Sequence, residues 1–474
     1  MQYGGEIISE ELKYTPSVQN HSTYAFRKVS PQGVSTQIGL SSASSVGPTE
    51  FIIPPSVFNP SKSRLNFQLE LPDPGVSPKF NWVDANALSM ISRVVLYDSN
   101  TNAVWLDCSN FEKYAAMVVP AGTKYEDFKT KGTSWASTTY AQILPILGDT
   151  AVGSSQPFPS EDIQKSNSLV NDTHLNVDGA ATTGFSAYEG RRYLLVGQDT
   201  SKTFWDVSLP LSAFKLTALS LNKNLYNPAN LVLQIYWNSV DNFAWTSTLG
   251  TDPTSGTAAS IGSTNVFINN VALQLANEQN LSIISKIQQQ VMSSGISIPI
   301  AYPTTTRQTI AASTAQSYQL NISKGYGQRI LAFITAPFSH DSTAINARNS
   351  HIRGTLTTYN TFMNNIATKY QAGYDCRLGQ DFYYGNREYL EKSVVQNLGE
   401  YAFAEFVHID SYFGERPLHE VDQTEIDGYD VGATASAWQL QANFSGTPTN
   451  PTTWITAIIG QKMLTMSSQG SMVA

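Results

Sequence analysis

The chain has 474 residues and a net charge of −8, and only 14% of its residues are charged. Soluble domains usually carry about 25% charged residues, so much of the surface is uncharged. Apolar residues make up 41%, which excludes a disordered chain, because disorder requires low hydrophobicity and high charge. The length fits two domains, and the many glycines, prolines and aromatic residues favour β structure.

Charge and cysteine content exclude several classes of protein. Residues 1–50 contain three basic residues and four glutamates, so no polybasic arm is available to neutralise phosphates. Cys108 and Cys376 are too far apart in sequence to predict a disulfide framework or a paired metal motif. The first residues lack the pattern of a signal peptide, and the apolar run at 330–334 is far shorter than the ~20 residues that span a bilayer. We expect a soluble protein that folds inside a cell.

The first half of the chain predicts β-strands after a polar segment. Residues 1–50 are weakly patterned and predict an extended arm, which needs a surface to lie against. Apolar and polar residues alternate at 64–71, as in a strand with one buried face. A hairpin pattern at 91–108 leads into a short helix at 110–118, which Asn110 can cap. A further short helix is predicted near 211–221, and further strands at 203–209, 230–237 and 266–275, the last with Phe267, Val271, Leu273 and Leu275 on one face.

Two segments of the first half have little pattern and are rich in glycine, serine and threonine. They cover residues 120–190 and 246–264. Loops of this length are unusual inside a compact domain and are generally functional or exposed. We therefore predict that these two segments are long surface loops, which we call excursions.

The second half repeats the order of the first. Residues 280–294 have helical spacing and end at Gly295, and the domain boundary is placed in this stretch. A polar excursion is predicted at 338–360, and Asn386 is positioned to cap a short helix. The predicted strands are 317–322, 329–334, 374–384, 401–409, 438–444 and 454–464. Many short antiparallel strands with long excursions predict two sandwiches, and a jelly roll is one such solution.

In layout, the chain resembles the double jelly-roll major capsid proteins of icosahedral DNA viruses. The features that carry the resemblance are the arm before Phe51-Ile52-Ile53-Pro54-Pro55 and strand 64–71, the hairpin 91–108 with helix 110–118, the strand 266–275 with helix 280–294 and residues 296–300, and the opening of the second half at 318–334. The resemblance covers about residues 50–470 and rests on pattern, not on an invariant motif. It implies an all-β fold of two tandem eight-stranded jelly rolls, with an N-terminal arm at 1–50, a first jelly roll at 51–278 and a second at 279–474.

The resemblance also implies a structural function without catalysis. In that family, three chains form a trimer of six sandwiches that tiles as a pseudo-hexagon. The resemblance therefore implies that this chain is the major capsid protein of a virion that is assembled inside the host cell. It also implies that residues 120–190 and 246–264 form outer towers and that residues 1–50 lie beneath the shell. The implied partners are two further copies, neighbouring capsomers, penton and minor capsid proteins, and an inner membrane or membrane protein reached by the arm. Sequence-specific nucleic acid and cofactors are not implied.

Two other functions fit the same sequence. One is another β-rich virion protein: a penton, a spike, a fibre or a single jelly-roll capsid protein. The other is a carbohydrate-binding adhesive module. The low charge fits all of these, because protein interfaces are depleted in Lys, Glu and Asp and enriched in aromatic residues.

The best enzymatic pattern is His408-Ile409-Asp410 with His419. A His-x-Asp pair on a strand projects both side chains to one face, and a second histidine could complete a 2-His-1-carboxylate iron site. Such sites in jelly rolls take their second histidine from a later strand, and His419 follows too closely. A strand end followed by a polar turn is the preferred interpretation.

Two charged clusters are also interpreted as loops. The acidic residues Glu420, Asp422, Glu425, Asp427 and Asp430 break the calcium-loop spacing, because Ile426 occupies a ligand position. His351 lies between Arg348 and Arg353 and could contact a phosphate or an acidic neighbour. No catalytic, cofactor-binding or metal-binding residue is predicted.

Overall fold

The chain forms two β-sandwiches that follow one another along the sequence. The computed structural model describes residues 21–33, 37–40, 47–73, 80–84, 87–121, 193–198, 202–247, 260–261, 266–310, 315–320, 329–338, 356–363, 366–372, 408–411, 423–424, 428–430, 438–444 and 452–474. The strands of the first half are β1 (Tyr24–Val29), β2 (Gln37–Gly39), β3 (Thr49–Ile53), β4 (Val57–Leu71), β5 (Phe80–Asp84), β6 (Ile91–Asp98), β7 (Val104–Ser109), β8 (Tyr193–Gln198), β9 (Thr203–Pro210), β10 (Leu225–Tyr226), β11 (Leu231–Trp237), β12 (Ala244–Ser247) and β13 (Phe267–Glu278). Of these, β12, β5 and β8 form a separate three-stranded sheet, and the others form the sandwich. Helix α1 (Phe111–Ala121) follows β7.

Helix α2 (Leu281–Ser293) leads into the second sandwich. Its strands are β14 (Ile296–Ile310), β15 (Ala315–Leu320), β16 (Arg329–Phe338), β17 (Leu356–Met363), β18 (Ile366–Ala372), β19 (His408–Ser411), β20 (Tyr429–Asp430), β21 (Trp438–Phe444), β22 (Thr452–Ser467) and β23 (Gly470–Val473). The Asn280 side chain caps α2 by accepting a hydrogen bond from Ser282 N, and Gly295 follows the helix with φ +75°. Glycine adopts this left-handed conformation at little cost.

The two sandwiches have the same strand wiring. In the first, β1, β13, β4 and β9 form one sheet, and β3, β11, β6 and β7 form the facing sheet. In the second, the corresponding sheets are β14-β22-β16-β19 and β15-β21-β17-β18. When the eight principal strands of each are lettered B to I along the chain, both read B-I-D-G and C-H-E-F. This is the jelly-roll order, so the predicted fold of two tandem jelly rolls is confirmed.

Alternation along β4 explains how the first core forms. Leu65, Phe67 and Leu69 are buried, whereas Arg64, which precedes them, is exposed and Gln68, between the last two, is half-buried. The Phe67 ring meets the Trp237 ring of the facing sheet edge to face, with centroids 5.1 Å apart. Burying an aliphatic or aromatic side chain of this size contributes about 1.5–3 kcal/mol, so this alternation holds the two sheets together.

A bulge in β13 changes the predicted core face of that strand. Leu273 and Leu275 are buried as predicted, but Ile268 is buried in place of Phe267, which is half-buried. The pairing with β4 shifts between Asn269 and Ala272. An extra residue in a strand moves the following side chains to the opposite face, which strict alternation does not anticipate.

Part of the segment predicted as an arm belongs to the first sheet. Strand β1 pairs antiparallel with β13, from Tyr24 opposite Glu278 to Val29 opposite Leu273, and β2 pairs with β13 further along. Most side chains of β1 are exposed, so this edge strand lacks an alternating apolar pattern. Backbone hydrogen bonds to β13 hold this strand in place, and such bonds leave no pattern in the amino-acid sequence.

Several other predictions differ from the structure or fall outside it. The predicted helix near 211–221 consists of two 3-10 turns, Leu211–Ala213 and Ala218–Ser220. The excursion predicted at 338–360 includes the start of β17. The predictions for 374–384, for Asn386 and for nearly all of 120–190 and 246–264 lie outside the described residues.

The wiring also defines the two ends of each jelly roll. Successive lettered strands run in opposite directions, so connections B–C, D–E, F–G and H–I leave from one end, which we call the loop end. Connections C–D, E–F and G–H leave from the other end, the base. Residues 122–192 belong to the F–G connection, which begins where β7 ends and finishes where β9 begins. Both of these strand ends lie at the loop end. Helix α2 joins the two jelly rolls at the base.

Candidate functional site

A buried carboxylate joins the two jelly rolls at the base. Asp98 ends β6 and is 0% exposed. Its Oδ1 accepts hydrogen bonds from the backbone N–H groups of Asn100 and Thr101, at 2.7 and 3.2 Å. Its Oδ2 accepts from Asn227 Nδ2 at 2.9 Å, and from Ser471 N at 2.8 Å and Ser471 Oγ at 2.9 Å. Because Ser471 lies in β23, the second jelly roll supplies two of the five donors to a charged group of the first.

The same serine receives two further bonds from the first jelly roll. Trp105 Nε1 donates to Ser471 Oγ at 2.7 Å, and Thr101 Oγ1 donates to the Ser471 carbonyl at 2.6 Å. The preceding residue, Gly470, has φ +110°, and a Cβ there would lie 2.9 Å from Asp98 Oδ2. Only glycine fits this close approach, so the geometry of the C-terminal hairpin is fixed by contact with the first jelly roll. We call Asp98, Thr101, Trp105, Gly470 and Ser471 the base latch.

The hydrogen bonds of the latch favour the ionised form of Asp98. Burial acts to raise the pKa of this carboxyl, but the bonds from Asn100, Ser471 and Asn227 outweigh it, so the pKa lies below its ordinary value. The carboxylate is therefore charged at neutral pH, and a buried charge is stable there because each oxygen has donors.

A second set of bonds crosses the junction away from the latch. The buried Gln423 side chain donates from Nε2 to Thr217 O at 3.0 Å in the first jelly roll, and its Oε1 accepts from Ala301 N at 3.2 Å in the second. Thr305 Oγ1 also donates to Ser109 O at 2.6 Å. One continuous cluster of buried apolar residues extends from the first jelly roll into β14, β16 and β22. The two sandwiches are thus packed against each other as one unit.

Helix α1 places buried polar side chains close to this junction. Lys113 Nζ lies 2.7 Å from Glu112 Oε1, and both side chains are buried. Burial raises the pKa of the neighbouring Cys108 thiol well above its ordinary value, so this cysteine stays protonated. A protonated buried thiol is a poor nucleophile, and Cys108 is structural here.

Large apolar side chains are exposed in two regions. Phe26 and Phe204 lie on β1 and β9, at the two sides of the first sheet, and Val104, Leu281, Met292 and Met472 lie at the base. Single exposed apolar residues are common on proteins, but a group of them at one end marks a surface available for contacts.

The base also has a polar cleft of about 410 Å³ between turns of the two jelly rolls. Asn100, Asn230 and Gln469 are among the residues that line it, and none of its described lining residues is charged. Ser99 and Ser468 contribute hydroxyl groups, but no described lining residue is a His, Asp, Glu or Lys that could activate them as a general base.

The structure places only part of the residues considered for chemistry. His408 and Asp410 lie in β19, where the backbone register places them opposite Thr335 and Phe333 of β16. His419, the cluster around His351, and the acidic residues Glu420, Asp422, Glu425 and Asp427 lie outside the described residues, whereas Asp430 lies in β20. Within the described part of the chain, no group of three or more His, Cys, Asp or Glu residues could hold a metal ion. No described helix has the length and apolarity needed to cross a membrane.

The base latch was missed by sequence reasoning. Asp98-Ser99-Asn100-Thr101 has the composition of an ordinary polar turn, and Ser471 is more than 300 residues away. No local pattern connects them. The one signal in the sequence is Gly470, and a glycine near a chain terminus is too common to interpret alone.

Comparison with known proteins agrees with the strand wiring. No protein-family model matches the chain, and no curated protein matches its sequence. A structure of the PBCV-1 virus capsid aligns over 96% of this chain and 97% of its own, with 10% identity and a TM-score of 0.52. PBCV-1 VP54, fitted into a reconstruction of the Sputnik virophage, has 9% identity at the same coverage and TM-score. The cryo-EM structure of the Sputnik virophage has 12% identity over 96% of this chain and 88% of its own, with a TM-score of 0.52. At these identities the shared property is the fold, a double jelly roll.

Proposed function

We propose that the protein is the major subunit of an icosahedral virion shell and that it assembles as a homotrimeric, pseudo-hexagonal capsomer. The observation that carries the proposal is the repeated wiring: two jelly rolls of the same strand order are joined through a buried junction. Three such chains around a threefold axis present six similar sandwiches, which approximate a hexagon and can tile a shell. The solved structures of the same fold named above are virus capsid structures, which supports this function.

The chain has the properties of a structural subunit. Only 14% of its residues are charged, and the buried carboxylate of Asp98 is bonded within the fold at the junction of the two jelly rolls. We infer a non-enzymatic role on the same basis. Neighbouring capsomers, penton and minor capsid proteins are the proposed partners, and the virion is the proposed location.

The domain division remains part of the proposal. Sheet membership changes between β13 and β14, which supports a boundary near 278–279. Because β1 belongs to the first sheet, the arm is proposed to be shorter than 1–50 and to end before Tyr24. Residues 120–190 and 246–264 are proposed as outer towers, because they belong to the F–G and H–I connections, which both leave from the loop end. The base, and with it the arm, would then face inward.

The mass of the purified full chain in solution tests this proposal. We expect native mass spectrometry to detect particles of three chains of 51.8 kDa each. A stable monomer at high protein concentration would contradict the capsomer. In virions, the chain should also dominate a stained gel, whereas a low copy number would indicate a penton, spike or fibre.

A further inference from the structure

Helix α2 leaves one side open to solvent. Leu281 is 79% exposed and Met292 is 53% exposed, although both are apolar. Leu281, Ser285, Gln288 and Met292 follow the spacing i, i+4, i+7 and i+11, so they lie along one line of the helix. We call these four residues the α2 stripe. None is charged, and this spacing is the one through which helices accept a packed partner.

The α2 stripe is not the face that attaches the helix to the fold. Val291 is the buried residue of α2, and Ile287 packs against the apolar core. On a helical projection, both lie on the side next to the stripe, about 100° away. Leu281 and Met292 therefore remain exposed after the helix has packed, and burying them would add stabilisation.

The chain enters the first jelly roll directly beside this stripe. Asn280 Nδ2 donates to the His21 carbonyl at 3.1 Å, and Gln279 N donates to the Thr23 carbonyl at 2.7 Å. Thr23 N also donates to Glu278 Oε1 at 3.0 Å. These three bonds fix residues 21–23 at the N-terminal end of α2, next to Leu281.

The length and composition of residues 1–20 fit the stripe. A helix of 13 residues is about 20 Å long, and the nine residue steps from Leu12 to the fixed His21 span about 30 Å when extended. The segment contains Ile7, Ile8 and Leu12 as apolar side chains. These residues can therefore reach either end of the helix.

The charges of the two segments are also complementary. Residues 1–20 carry Glu6, Glu10 and Glu11 against one lysine, Lys13, whereas the one charged residue of α2 is Lys286. The N-terminal end of a helix is also favourable for negative charge.

We propose that residues 1–20 of the same chain cover the α2 stripe, with Ile7, Ile8 and Leu12 packed against Leu281 and Met292. In this arrangement the segment closes an apolar surface at the base of its own subunit. This inference does not depend on the proposed capsid function, because it concerns the folded chain itself.

Cysteine cross-linking in the full chain tests the proposal. In a Cys376→Ser background, Ile8→Cys is combined with Met292→Cys and treated with a short flexible bis-maleimide. The matched control replaces Met292→Cys by Gln290→Cys, which is exposed but lies on the opposite side of α2. Equal amounts of isotopically light and heavy protein are mixed before reaction, and the linked peptides are identified by mass spectrometry. We expect the 8–292 link to form about tenfold faster than the 8–290 link, within single chains, because docking raises the local concentration of the two thiols.

Three results would overturn the proposal. Equal rates for the two pairs would mean that the segment does not dock on the stripe. Links between light and heavy chains at 8–292 would assign the segment to a neighbour, and 292–292 links would assign the stripe to a second copy of the helix. A second measurement covers variants that fail to fold: hydrogen exchange of residues 281–293 in an otherwise native chain carrying Ile7→Ser, Ile8→Ser and Leu12→Ser. Faster exchange than in the wild type supports the proposal, and unchanged exchange contradicts it.

Discussion

The Asp98→Asn substitution tests the base latch most sharply. An amide has one acceptor oxygen in place of two, so it cannot satisfy both sets of donors around the carboxylate. In the less costly orientation, the amide nitrogen faces the N–H groups of Asn100 and Thr101, and two bonds are lost. Each hydrogen bond to a charged group contributes about 1.5–3 kcal/mol, so we expect a loss of roughly 3–6 kcal/mol in the free energy of unfolding.

Asp107→Asn is the matched control, because it makes the same chemical change at a partly exposed site. Asp107 pairs with Arg93 at 2.7 Å, and the Arg93 and Asp107 side chains are 43% and 35% exposed. Ion pairs of this exposure contribute about 0–1 kcal/mol. Urea unfolding followed by tryptophan fluorescence gives both losses from the shift of the midpoint at constant slope. If the Asp98 variant loses no more stability than the Asp107 variant, the latch does not hold the jelly rolls together.

Three further predictions concern named contacts. Gly470→Ala should destabilise the chain by several kcal/mol, because its Cβ would meet Asp98 Oδ2 at 2.9 Å. Gly33→Ala, also at positive φ but in open space, should lose only about 1 kcal/mol, so comparable shifts of the urea-unfolding midpoint for the two variants would refute this. Thr49→Val removes the acceptor of Trp237 Nε1 at 2.7 Å and should lose about 1–3 kcal/mol in urea unfolding, while Thr49→Ser should restore most of it. The pKa of Asp98 is lower in the folded than in the unfolded state, so its stabilisation of the fold is complete above the ordinary aspartate pKa of about 3.9 and is lost as pH falls through the lower folded pKa. The difference in unfolding free energy between wild type and Asp98→Asn should therefore shrink in acid, and a difference that stays constant with pH would contradict an ionised Asp98.

The sequence predicted those parts of the fold that depend on local patterns. Alternation identified β4, the hairpin β6–β7 was visible from its polar turn, and helical spacing placed Phe111, Tyr114 and Val118 of α1 on one buried face. The repeated order of elements in the two halves was enough to predict two similar sandwiches.

The features that the sequence did not predict depend on contacts between distant residues. β1 is ordered by its ladder with β13, more than 200 residues away, and its exposed side chains leave no pattern. The bulge between Asn269 and Ala272 moves the side chains that follow it to the opposite face of β13, and no local sequence pattern predicts it. The base latch joins Asp98 to Ser471, and neither residue is unusual in its own segment.

Electron microscopy of the purified, assembled protein tests the central claim most directly. The proposal predicts particles with a hexagonal outline and threefold symmetry, because each of three chains contributes two jelly rolls of the same wiring. Class averages with fivefold symmetry, or with two sandwiches per particle, would contradict the trimeric capsomer.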